Sequence, residues 1–257
     1  MAGTTYSCTA LLGTNKKGTL RCDPDGYYDV VLGALDYWNS AGAFYAYQPA
    51  KKLFEDSSAL QRRVAKGVLR GELGHPKKLP GMTDRQYLMR ILEIDEKCVS
   101  HHIKEVTIDE SNVKDKQGNS VIAIMGRVKP AGPYAQALAD SLENPNENTC
   151  FSIRSITEDI IDSRGNRIKH LVEIVTWDAV NEPGLAIANK YDAPALESLF
   201  DRPLDREQLI LAKNMAMGSG VGMESDTVSM LDRLITRTKW EEPKRRSGLV
   251  LPASGRW

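Results

Sequence analysis

The sequence has no surplus of charge of either sign: 34 Lys and Arg stand against 34 Asp and Glu, for a formal net charge of zero. A chain without a basic excess is not built to coat nucleic acid, and one without an acidic excess is not built to hold a cationic partner. Long hydrophobic runs are missing too, and no stretch approaches the ~20 apolar residues that a bilayer-spanning helix needs. The first residues, MAGTTYSCTALLG, lack the basic flank and long apolar core of a signal peptide. Cysteine is scarce: Cys8, Cys22, Cys98 and Cys150 form no CxxC pair and no metal-ligand spacing. Reduced thiols in a cytoplasmic compartment are the expectation. Residues 218–222 are glycine-rich, but the Lys-Ser/Thr of a phosphate-binding loop does not follow. Internal repeats and low-complexity tracts are absent.

What is present is ordinary for a globular protein. The 257 residues are 41 % apolar and 26 % charged, enough for one domain with appendages. Residues 5–50 are rich in Tyr, Gly and Ala and suggest strands and loops around the apolar run 28–32. Asp56-Ser57-Ser58 offers an N-cap, and Leu60, Val64 and Val68 follow at helical spacing. Gly71-Glu72-Leu73-Gly74-His75-Pro76 is glycine-bracketed and ends on proline, so the chain has left the helix there. Thr83-Asp84-Arg85-Gln86 has the form of a capping box, with Tyr87, Leu88, Ile91 and Leu92 as the apolar face behind it. Strands are expected over 99–109, 120–128, 150–161 and 168–180. The first pair is joined by Lys116-Gln117-Gly118-Asn119 and the second by Ser163-Arg164-Gly165-Asn166. A short helix opens at Gly132-Pro133 and runs through Leu142. Two long hairpins with helices between them point to an α+β protein with an antiparallel sheet or β-barrel as its core. Beyond Pro183 the composition shifts, with helices expected over 205–217 and 226–238 and a basic, Pro/Gly/Ser-containing end. The expected division is a main domain over 1–200 and a helical, flexible tail over 201–257.

Four histidines (His75, His101, His102, His170) make the search for chemistry short. His75 lies in the tight loop after a helix, and by position alone it reads as a surface histidine without a role. Ser152 opens a strand in which Cys150, Ser152 and Arg154 share one face while Phe151 and Ile153 take the other. It is either a nucleophile beside a positive group or an ordinary strand serine. Ser155 and Cys150 compete with it, the latter as half of a Cys-His pair. Asp178 ends the apolar strand Glu173-Ile174-Val175-Thr176-Trp177-Asp178, where a carboxylate needs water or a partner. It caps a turn or serves as the acceptor that fixes a histidine tautomer. Glu72-x-x-His75 is half of a metal-ligand pair with no second histidine at helical spacing. His101 and His102, being adjacent, point to opposite faces of a strand. No metal and no cofactor are expected.

Three segments together resemble one family. Gly71-Glu72-Leu73-Gly74-His75-Pro76 is similar to the histidine motif of phage prohead-maturation proteases. Phe151-Ser152-Ile153-Arg154-Ser155 resembles their serine motif. Residues 175–183, Val-Thr-Trp-Asp-Ala-Val-Asn-Glu-Pro, resemble the strand and turn that follow. Gly126-Arg127-Val128 and the Gly132-Pro133 helix between them fit as well. The resemblance covers about residues 55–190 and is nearest to the enzymes of large myoviruses, which are related to herpesvirus assemblin. It implies a barrel with helices around it and a serine endopeptidase with His75 as base, Ser152 as nucleophile and Asp178 as orienter. In the herpesvirus enzymes a second histidine takes the third place, which leaves His101, His102 or His170 as alternatives to Asp178. Arg154 and the backbone near Gly184 are the oxyanion candidates that the resemblance suggests. It also implies substrates and a place of action: scaffold and major capsid proteins, and the chain itself, cut during maturation inside the prohead in the host cytoplasm. Cleavage would fall after glutamate, with a small or aliphatic residue two positions earlier. Glu224 in Gly222-Met223-Glu224 and Glu197 in Ala195-Leu196-Glu197 match that form and are autocleavage candidates. A homo-oligomer is allowed; no specific nucleic acid and no membrane are expected as partners. Two other readings stand beside this one. One is a non-catalytic barrel protein of a virion, tail-tube-like or scaffold-associated. The other is an esterase, which the lack of a Gly-x-Ser-x-Gly elbow around Ser152 disfavours in its α/β-hydrolase form.

Overall fold

The computed structural model describes residues 3–8, 20–38, 42–115, 118–180, 202–218 and 225–238. The chain divides into two compact units, Met1–Leu204 and Asp205–Trp257.

β1 is Gly3–Cys8, β2 Tyr28–Leu35, β3 Tyr37–Trp38, β4 Ala43–Tyr45 and β5 Arg70–Glu72. β6 is Val99–Asp109, β7 Ile122–Pro130, β8 Cys150–Ile161, β9 Arg167–Val180 and β10 Arg202–Pro203. They form a six-stranded sheet, β10-β1-β8-β9-β4-β3, and a four-stranded sheet, β2-β7-β6-β5. The fold is therefore α+β. The hairpins point to an antiparallel sheet or barrel and the family resemblance to a barrel; the strand pairing here does not bear out the barrel. Among the described strands there are two sheets without closure, and β4 runs parallel to β9. The β8–β9 hairpin turns at residues 162–166, where the Asp162 carboxylate accepts from the backbone N–H groups of Arg164 and Asn166.

Apolar side chains of both sheets meet in one core that includes Leu32, Ile103, Ile124, Val128, Phe151, Ile153, Ile174 and Trp177. Each such side chain contributes roughly 1.5–3 kcal/mol when fully buried. Because β8 and β9 alternate, sending Phe151, Ile153, Trp177 and Ala179 into this core turns Ser152, Arg154, Thr176 and Asp178 to the opposite face.

Short helices flank the sheets: α1 Tyr47–Lys51, α2 Ala59–Ala65, α3 Asp84–Leu92 and α4 Ala135–Glu143. Ser58 caps α2 by accepting from the Gln61 N–H, as expected, but the helix stops at Ala65 and Val68 is exposed. From α2, Arg63 donates to the carbonyls of Ile174 and Val175, covering the edge of β9 beyond its pairing with β4. α3 carries the full capping box, with Thr83 and Gln86 bonded reciprocally. The second unit contains α5 Arg206–Gly218 and α6 Ser225–Thr238. Leu209, Ala212 and Ala216 of α5 are buried, as are Met230, Leu231 and Leu234 of α6.

Candidate active site

The β8–β9 register sets Ser152 directly across from Asp178. What completes the site is the crossing of β5 over β9. Gly71 lies so close to β9 that a Cβ there would stand 2.0 Å from the Trp177 carbonyl oxygen and 2.3 Å from the His101 ring. Only glycine permits that approach. It lets Thr176 donate its hydroxyl to the Arg70 carbonyl and the Glu72 N–H donate to Asp178 Oδ1 at 3.1 Å. Beyond β5 the loop stays tethered: the Leu73 N–H donates to the Cys98 carbonyl, and the Gly74 N–H to the Ala179 carbonyl. Gly74 takes φ +79°, a left-handed conformation that turns the chain so that His75 faces β8 and β9. The Tyr87 hydroxyl holds the far side of the loop through the Pro76 carbonyl.

The imidazole lands between the two strand residues. Its Nδ1 is 2.8 Å from Asp178 Oδ2 and its Nε2 is 2.5 Å from Ser152 Oγ. An Nδ1–H donated to the carboxylate fixes the tautomer whose Nε2 can accept the serine proton. Ser152 and Asp178 are buried, while the His75 side chain is 20 % exposed.

Asp178 is fully enclosed and still ionised. Burial pushes its carboxyl up, but the Arg154 guanidinium and the His75 ring outweigh that and hold it below the usual carboxylate range. Arg154 Nε donates to Oδ2 at 2.9 Å and Nη2 to Oδ1 at 2.6 Å, a bidentate clamp. Arg154 is itself fully buried. Its Nη2 lies 3.1 Å from Glu72 Oε1, and its Nη1 donates to the Glu93 carbonyl at 2.8 Å. These contacts make Arg154 a partner of the acid and do not support the oxyanion role expected for it, because its donors are directed at the protein interior. Gly184, Glu197 and Glu224 lie outside the described residues.

The other candidates are placed elsewhere. His101 is buried with its Nδ1 2.8 Å from Ser100 Oγ and its ring edge-on to Phe151. Burial pushes its pKa down to about 4. His102 shares a hydrogen bond with the Tyr27 hydroxyl and contacts the Gly67 carbonyl, and His170 sits on β9 across from Glu158. Both ring nitrogens of His75 are thus engaged by Ser152 and Asp178, and His101, His102 and His170 have other surroundings. The Cys150 thiol is buried, and burial pushes its pKa up to about 12, which suits a packed side chain and not a nucleophile. Ser155 is a buried strand residue after a break in the β8–β9 register. Glu72, weighed in the sequence only as half of a metal-ligand pair, is paired with Arg90 and Arg154.

The profile of the Peptidase S80 family matches residues 6–234. The chain belongs to the Peptidase S80 family. The capsid maturation protease of Pseudomonas phage phiKZ is 45 % identical over 196 residues, which is 75 % of this chain and 71 % of that protein. Among solved structures, the bacteriophage T4 capsid assembly protease superposes with a TM-score of 0.45 and 13 % identity, over 70 % of this chain and 98 % of that one. The family match and the phiKZ relative bear out the resemblance to phage maturation proteases read from three short motifs, and the protein is a protease.

Proposed function

We propose that the protein is a serine endopeptidase of phage capsid maturation, with Ser152 as nucleophile, His75 as general base and acid, and Asp178 as the group that orients and charges His75. The observation that carries this reading is the unbroken line Ser152–His75–Asp178, at 2.5 Å and 2.8 Å, on one face of the β8–β9 hairpin. Ser152 Oγ attacks the scissile carbonyl as His75 Nε2 takes its proton. Asp178 stabilises the imidazolium without itself becoming protonated. The imidazolium then gives its proton to the leaving amine, and water repeats the sequence on the acyl-enzyme to release the acid and restore the serine.

The relative's description as a capsid maturation protease supports scaffold and capsid proteins as the substrates and the interior of the prohead as the place of action. Cleavage after glutamate, and self-cleavage at Glu224 or Glu197, complete the proposal. Among the described residues no helix is long and apolar enough to cross a membrane.

Co-expression with a scaffold substrate tests the nucleophile. Ser152→Ala should abolish processing, with a fall on the order of 10⁴–10⁶ in rate, while keeping the wild-type melting transition. Undiminished cleavage by that variant would sink the serine mechanism. Intact mass measurement of active protein tests the tail: a new C-terminus at Glu224 supports self-processing, and a full-length chain that turns over substrate refutes it.

A further inference from the structure

The acid of the site is the first member of a row of alternating charges. Asp178, fully buried, is clamped by Arg154, also fully buried. Arg154 Nη2 is 3.1 Å from Glu72 Oε1, and Glu72 is 1 % exposed. Glu72 is held in turn by Arg90, through Nη1 to Oε1 at 2.9 Å and Nη2 to Oε2 at 2.5 Å. Arg90, 23 % exposed, brings the row out to solvent. β9, β8, β5 and α3 each supply one member. The row carries two negative and two positive charges, so it sums to zero until His75 takes a proton.

Neither Glu72 nor Arg90 touches His75 or Ser152. A row of this kind is weak evidence for stability, since taking charges out of water costs about as much as their attraction returns. Its effect on charge is more definite. Arg154 draws off part of the field with which Asp178 stabilises the imidazolium. Glu72 draws off part of the field of Arg154, and Arg90 part of that of Glu72. Interactions in so dry a site are weakly screened, so the signs persist along the row.

We propose that Glu72 and Arg90 are positioning residues that set the basicity of His75 through Arg154 and Asp178, with opposite signs. The proposal rests on the Ser152–His75–Asp178 reading and adds the residues that tune it. Other groups face the row. The Asp95 backbone N–H donates to Glu72 Oε1 at 2.8 Å, and its carboxylate acts on Arg90. The Cys98 thiol lies in the field of Glu72, and His101 in that of Asp178. His101 and Cys98 are uncharged at neutral pH and add no net charge to the row.

Neutralising alternate members should move the base in opposite directions. Glu72→Gln keeps the acceptor for the Asp95 N–H, removes a negative charge and leaves Arg154 less compensated. The acid limb of the kcat/KM profile should shift to lower pH by about 0.5–1 unit. Arg90→Gln removes a positive charge and should shift it to higher pH by a smaller amount, and Arg90→Lys should restore it. In the double variant the two shifts should largely cancel. A ¹⁵N-histidine NMR titration of His75, run on each variant in a Ser152→Ala background, reads the same shifts without turnover. Opposed shifts support the proposal. Shifts of the same sign, or none, overturn it even with the triad intact. If Glu72→Gln does not fold, the upward shift of the partly exposed Arg90→Gln and its reversal by lysine carry the test. Undiminished turnover by His75→Ala would instead sink the triad reading itself, a distinct outcome.

Discussion

Asp178 carries more of the site than its place as third residue suggests, because four donors converge on it: the His75 ring, two guanidinium nitrogens and the Glu72 N–H. Asp178→Asn exchanges a double acceptor for a group that must present an N–H to one of those donors. Turnover is expected to fall by about 10³–10⁴ through the wrong histidine tautomer. Stability is expected to fall by a few kcal/mol because Arg154 stays buried with one of its two carboxylate partners neutralised. Steady-state kinetics and urea unfolding, measured on the same preparation, check the two losses separately. A second residue acts by having no side chain. At Gly71 a Cβ would meet a backbone carbonyl, which cannot swing aside. Gly71→Ala should therefore lift β5 off β9 and break the bond from the Glu72 N–H to the Asp178 carboxylate and the Gly74–Ala179 backbone bond. The expected cost is ~1–3 kcal/mol of stability, with a drop in turnover greater than that loss explains, since His75 hangs from the displaced segment. Full activity at wild-type melting temperature would contradict the close-crossing argument.

At the scale of elements, how much the sequence disclosed depended on how local the cause was. β6 and β8 could be bounded as Val99–Asp109 and Cys150–Ile161 because alternation, β-branching and flanking turn residues all act within the segment. α3 was legible from its own first turn. Thr83→Ala, which removes one side of that capping box, should cost about 1 kcal/mol in chemical denaturation without altering the active-site distances. β5 was read as loop because its three residues sit among glycines and before a proline. Its strand character comes from its pairing with β6, next to the Leu73–Ala179 bridge that ties the following residue to β9, and neither leaves a local signal. The same reason hid the parallel β4–β9 pair. Of the proposed site, His75, Ser152 and Asp178 can be named through the scarcity of histidine and the resemblance of three ordered motifs to one family. Glu72 and Arg90 could not be assigned a role, because an ion pair between a strand and a helix has no periodicity. Arg154 was visible as the neighbour of Ser152 on its strand face, yet only the register with β9 shows that it serves Asp178.

For the whole molecule, the buried histidine beneath the crossing decides how the fold meets acid. His101 is enclosed between Phe151, Ser100 and the backbone at Gly71, and burial pushes its pKa to about 4, against about 6.5 in an unfolded chain. A depressed histidine favours the folded state when neutral. As pH falls from 6.5 toward 4 the unfolded chain takes up a proton that the folded chain refuses, so stability falls over that window. The loss from this one group approaches ~3 kcal/mol. Asp178, held below its ordinary range, acts at lower pH: its stabilisation is present above about 3.9 and is lost as pH falls from there toward the depressed folded-state value, while the unfolded chain takes up a proton that the folded carboxylate refuses. His102, also depressed by burial, contributes in the same direction as His101. The informative quantity is therefore the difference between two slopes. Urea unfolding between pH 4.5 and 7 should show the Ser152→Ala protein, chosen to prevent self-digestion, losing stability steeply with acid. The same protein carrying His101→Gln should lose it less steeply, by nearly one proton's worth, because an amide in that site has no charged form to exclude. Parallel slopes would mean that His101 titrates alike in both states and that acid reaches the fold elsewhere.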